Sequence, residues 1–116
     1  MRDLALRLAG VLAIAVALAH GVIAERKVFG KARIEPGSMR ELLRLVWHAS
    51  TLDWMVMGSL LIAAPALGSD PARHWLVAAA VVVYAYAALA NALASRGRHP
   101  GWCLMVGVIV LALLGR

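Results

Sequence analysis

The sequence contains few charged and few aromatic residues for its length. Charged residues make up 16% and aromatic residues 6% of the 116 positions, whereas 63% are hydrophobic and the mean hydropathy is +0.81. A soluble domain has about a quarter of its residues charged. The scarcity of charge therefore argues against a soluble globular domain and indicates a chain that lies in a lipid bilayer.

The sequence also lacks the signatures of well-known sites. Its single cysteine, Cys103, excludes a disulfide or a cluster of thiolate ligands within one chain. There is no HExxH zinc motif, no Glu-x-x-His pair of the di-iron bundles and no CxxCH haem attachment. No arrangement of triad type is present, so hydrolysis is not expected. Lysine and arginine number 12 against six acids, but they flank apolar runs, so nucleic acid is not an expected partner.

Four apolar runs account for most of the chain. They cover residues 8–24, 45–64, 75–94 and 101–114, and a membrane span needs about 20 such residues. We expect the first run to be a span and not a signal peptide, because the densest positive charge follows it. The predicted fold is an all-α integral membrane protein, a single transmembrane domain that forms an antiparallel four-helix bundle. Its expected partners are the lipid bilayer and a homo-oligomer or a larger membrane complex.

Basic residues are distributed unevenly between the two sides of the predicted membrane. Eight lie in the segment 25–44 and in the connection that contains Arg96 and Arg98, and four lie on the other side. The positive-inside rule then places both connections in the cytoplasm and both termini in the periplasm of a bacterial inner membrane. The bias of eight to four leaves dual topology open.

The start of the second helix carries a local signal. The stretch Ser38–Glu41 has the pattern of a capping box, in which the serine and glutamate side chains satisfy each other's backbone amides. The pattern predicts a helix that begins at Met39, inside the basic segment.

Three polar side chains have similar depths in the predicted membrane. With a rise of about 1.5 Å per residue, His20 lies about 6 Å inside the cytoplasmic end of its helix. His48 and Asn91 lie about 5 Å inside the same ends of their own helices. The alternating helices thus predict one polar layer near the cytoplasmic face.

Helical rotation sorts these residues further. On the third helix, Tyr84, Asn91 and Ser95 fall on one stripe. On the second helix, Asp53 points about 140° away from His48 and lies about 12 Å deep. A carboxylate at that depth is costly unless it is paired, hydrated or protonated. Asp53 therefore needs a neighbour of its own: His48 through a bent path, Arg7 of a neighbouring subunit, or a polar residue on the third helix.

A ligand or cofactor site is the first functional hypothesis, with interhelical hydrogen bonding as its structural alternative. His20, His48 and Asn91 could bind a cofactor, with the two histidines as axial ligands of a b-type haem or as contacts of a quinone head group. Together with Glu25, His20 and His48 could instead hold a divalent metal ion.

Two other functions stay open. A proton-coupled small-molecule transporter would use Asp53 to exchange protons for a cationic substrate. An accessory or assembly subunit would instead pack on a larger membrane complex through the alanine-rich third helix and the fourth helix.

Two stretches resemble a group of small bacterial inner-membrane proteins. These are AHGVIAER, with a histidine five residues before a glutamate, and RLVWHASTLDW, with a Trp-His pair that opens the second helix. The resemblance covers about the first half of the chain, through His20, Glu25, Trp47, His48 and Trp54. It implies that His20, Glu25 and His48 act as a unit, and it implies no particular reaction.

Overall fold

The computed structural model describes all 116 residues and contains four α-helices and no strand. Helix α1 is Arg2–Ile23 and continues as a π-helical turn, Ala24–Phe29. Helix α2 is Gly37–Ala63 and continues as a 3-10 turn, Ala64–Leu67. Helices α3 and α4 are Asp70–Ser95 and Gly101–Leu114. The first three are long and apolar enough to cross a membrane, so the predicted all-helical fold is confirmed.

The helices extend beyond the apolar runs that predicted them. The fourth run coincides with α4, but α1, α2 and α3 each begin several residues earlier. As a result, the basic segment 25–44 is mostly helical, and only residues 30–36 connect the π turn to α2. The predicted capping box is wrong. Pro36 is the N-cap of α2, and no side chain caps the helix. The ring of proline fixes φ at a value that suits the extended residue before a helix, so the helix begins directly after Pro36.

Helix α1 lies at the centre of the packing. It contacts α2 and α4 extensively, and α3 packs on α4, whereas α2 and α3 scarcely touch. The core consists largely of alanines together with a few larger side chains, of which the most completely buried are Leu6, Leu61, Val77, Tyr84 and Val108. Small residues let helix backbones approach closely, so α1 sits tightly between two neighbours.

The closest approach is between the backbones of α1 and α2 at Gly10 and Gly58. A Cβ atom built on Gly58 would lie 2.8 Å from the Gly10 carbonyl oxygen and 2.8 Å from Ile14 Cγ1. A Cβ atom on Gly10 would clash with the Gly58 carbonyl oxygen and with Ile62. Only glycine therefore fits on either side of this crossing.

Two contacts fix α3 against the other helices. Arg73 Nη2 forms an ion pair with Asp3 Oδ1 at 2.8 Å, which joins the beginnings of α1 and α3. Near the middle of α3, the buried Tyr84 hydroxyl donates to the Trp54 carbonyl oxygen at 3.2 Å. On the far side of this hydrogen bond, residues of α2 and α3 line a cavity.

We predict that Gly58→Ala lowers the free energy of unfolding by about 1–3 kcal/mol, the usual cost of overpacking. The added methyl group must displace the α1 backbone. Because α1 also packs on α4, this displacement disturbs a second helix contact. The thermal unfolding midpoint of the detergent-purified protein, followed by circular dichroism, measures the effect.

Gly107→Ala is the matched control because its Cβ would meet only the flexible end of Leu12, at 3.3 Å. Both glycines lie inside helices, so replacement by alanine raises the helix propensity by the same amount at both positions. Equal midpoints for the two variants would contradict the proposed tight crossing.

Candidate functional site

A cavity of about 890 Å³ lies where α2 and α3 fail to meet. Its floor and walls come from α1, α2, α3 and the beginning of α4, and its lining is largely apolar. The polar and aromatic members of the lining are His20, Trp47, Ser50, Asp53, Trp54, Tyr86, Asn91, Ser95 and His99. A volume of this size and a mostly apolar wall with a few polar groups are typical of small-molecule sites.

His20 is held between two tryptophans of α2. Its ring stacks on Trp47 with a centroid distance of 4.8 Å and lies 4.5 Å from the ring of Trp54. The Ser50 hydroxyl donates to the Trp47 carbonyl oxygen at 2.6 Å, so it accepts a hydrogen bond from His20 Nε2 at 3.2 Å. This network assigns the proton to Nε2 and orients the imidazole.

Three buried polar side-chain atoms have no hydrogen-bond partner. They are Trp47 Nε1, Asn91 Oδ1 and Ser95 Oγ. All three belong to residues that line the cavity. Buried polar groups in proteins are nearly always satisfied, and an unsatisfied one costs about 1–3 kcal/mol. The residues with unpartnered buried polar atoms are therefore concentrated around one cavity.

A second polar cluster lies outside the cavity lining, where the π turn meets α2. Glu25 Oε1 accepts from Arg44 Nε at 2.8 Å and lies 2.5 Å from His48 Nε2. Glu25 follows the apolar run of α1, and hydrogen bonds from Arg44 and then His48 lower the pKa of its carboxyl group to about 2. The π turn adds a residue to the helical register, and the Glu25 side chain contacts α2.

The predicted polar layer is therefore divided between two places. His20 and Asn91 line the cavity as a pair, but His48 does not, and Asp53 takes its place in the lining. The prediction that separated Asp53 from His20 and Asn91 is wrong. It assumed that the His48 side of α2 faces the bundle centre, whereas the side that carries Ser50, Asp53 and Trp54 does so.

The metal set of His20, Glu25 and His48 is not assembled. The Nε2 atoms of the two histidines have different partners, Ser50 and Glu25. No group of three or more histidine, cysteine, aspartate or glutamate side chains in the chain is placed to hold a metal ion.

The sequence reasoning missed several residues of the site. Trp47, Ser50 and Trp54 recur at intervals of three and four positions, which puts them on one face of α2. That spacing, with Asp53 beside Trp54, was an available signal for a polar and aromatic face. His99 had no such signal, because it lies in the connection before α4.

Comparisons with known proteins give no match: no family model, no curated protein and no solved structure matches this chain. The suspected relationship to small bacterial inner-membrane proteins therefore stays a prediction.

We predict that Glu25→Gln lowers the thermal unfolding midpoint by a few degrees. Arg44 and His48 lose their negatively charged acceptor, so the π turn loses its ionic contacts with α2, although Arg40 still donates to the Phe29 carbonyl oxygen. Glu35→Gln is the control, since its ion pair with Arg33 is more exposed than that of Glu25 with Arg44 and such exposed pairs contribute little. A Glu25→Gln midpoint no lower than that of Glu35→Gln would contradict this role.

Proposed function

We propose that the protein is a multi-pass bacterial inner-membrane protein that binds a small amphiphilic organic ligand in the cavity between α2 and α3. Large apolar side chains on the outside of the helices support membrane insertion. Leu52, Val82 and Leu89, for example, are 59–69% exposed, and lipid would cover them. The positive-inside rule places the cavity near the cytoplasmic face and both termini in the periplasm.

The observation that carries this proposal is that every unpartnered buried polar side-chain atom belongs to the lining of one apolar cavity. A suitable ligand combines an apolar body with a head group that both accepts and donates hydrogen bonds. A quinone offers such a head group, because its carbonyl oxygens are acceptors that suit donors such as Trp47 Nε1 and the Ser95 hydroxyl. Its reduced form would also donate to Asn91 Oδ1.

The other ligands that the sequence suggested are less well supported. The predicted axial pair of a b-type haem, His20 and His48, does not face one cavity, because only His20 of these two lines it. A divalent metal ion needs several converging ligands, and these side chains have no such group. We therefore favour an organic ligand over haem or metal.

We predict that Ala90→Phe weakens binding of decylubiquinone at least tenfold. Ala90 lines the cavity, so a phenyl group there would occupy the space of the ligand. Quenching of tryptophan fluorescence in lipid nanodiscs measures binding, because Trp47 and Trp54 lie in the cavity wall.

Ala85→Phe is the matched control. Ala85 is also an exposed alanine of α3, but it does not line the cavity. An absence of saturable quenching in the wild type, or equal weakening by both variants, would overturn the proposed ligand site.

Proton-coupled transport is a second candidate function. The observation that favours it is the position of Asp53, an ionisable residue within a candidate span that lines the same cavity. Intramembrane carboxylates commonly relay protons in transporters. Transport would use the cavity as the substrate site and Asp53 as the proton carrier.

We predict that Asp53→Asn abolishes proton-driven uptake if the protein is a transporter. In proteoliposomes with a pH gradient across the membrane, uptake of radiolabelled benzyltrimethylammonium should exceed that of empty liposomes only when Asp53 is intact. Uptake that is unchanged in Asp53→Asn would remove the proposed role of this carboxylate.

A further inference from the structure

The cavity lining differs in its charged residues from the rest of the protein. The chain carries a formal net charge of +6, yet no lysine or arginine lines the cavity. Asp53 is the only acidic residue of the lining. The cavity wall therefore contains one carboxyl group and no lysine or arginine to balance it.

Asp53 has no partner within the chain. Its carboxylate takes part in no hydrogen bond and no ion pair, whereas Asp3, Glu25 and Glu35 each pair with an arginine. Asp53 lies near the middle of α2, a candidate membrane span. An ionised carboxylate at this depth is unfavourable unless a counter-ion or water compensates it. The cavity that Asp53 lines offers space for such a counter-ion.

Aromatic side chains surround the same space. Trp47, Trp54 and Tyr86 all belong to the lining, and Trp54 directly follows Asp53 in the chain. The faces of aromatic rings attract cations, and the attraction is larger when water is excluded. A single carboxylate, several aromatic rings and apolar walls together suit a cation with a bulky apolar body.

We propose that the cavity selects lipophilic organic cations and that Asp53 is their counter-ion. This inference rests on the proposed function, since it requires that the cavity is a ligand site, and it adds the charge of the ligand. An inorganic cation would leave the aromatic and apolar wall unused. A lipophilic anion would face the unpaired carboxylate.

Charge selectivity of the wild-type protein is the first test. Tetraphenylphosphonium and tetraphenylborate have nearly the same size and shape but opposite charge. Binding of each is measured at pH 8 in phosphatidylcholine nanodiscs that contain the protein, and the binding to empty nanodiscs is subtracted. We expect at least a tenfold preference for the cation. Equal affinities or a preference for the anion would overturn the proposal without any need for a variant.

Removal of the carboxylate is the second test. Asp53→Asn should weaken tetraphenylphosphonium binding at least tenfold, whereas the control variant should bind the cation as tightly as the wild type. Glu41→Gln is the matched control, because it removes the same charge from an exposed position of α2 outside the cavity. Unchanged cation affinity in Asp53→Asn would overturn the role of Asp53.

The quinone measurement separates the two proposals. Decylubiquinone binding without charge selectivity would refute the cation site and keep the ligand site. If neither the quinone nor the cation binds, both proposals fail.

Discussion

The close contact of α1 and α2 at Gly10 and Gly58 is the constraint on which the rest of the structure depends. The two backbones meet there with no room for a side chain. About ten residues further along α1, His20 and the rings of Trp47 and Trp54 fill the space between the same two helices. The helices are thus separated by glycines at one level and by aromatic rings at another.

The position of α3 follows from the same arrangement. Because α1 is already packed between α2 and α4, α3 finds its main partner in α4 and meets α2 mainly around Trp54 and Tyr84. The remaining length of α2 and α3 lines a cavity. The cavity is therefore a consequence of which helices pair, and no insertion or irregular loop is needed to form it.

Two groups of polar side chains differ in whether they have partners within the chain. The first group is the cluster of Glu25, Arg44 and His48, whose side chains bond to one another and join the π turn to α2. A structural role is enough to explain these three residues. Trp47 Nε1, Asn91 Oδ1, Ser95 Oγ and the Asp53 carboxylate lack partners. A function is best sought among the second group, because their free-energy cost is compensated by nothing within the chain.

The sequence by itself determined the helical architecture, including the bounds of α4, and it singled out His20 and Asn91, which both line the cavity. It also predicted that His48 and Asp53 face different surroundings. Apolar composition and local backbone hydrogen bonding control these features, and both can be read along the chain. Only the tertiary structure decided that Asp53, and not His48, joins His20. Helical periodicity fixes angles between residues of one helix, but the side that turns inward depends on contacts such as Gly10 with Gly58, which lie far apart in sequence.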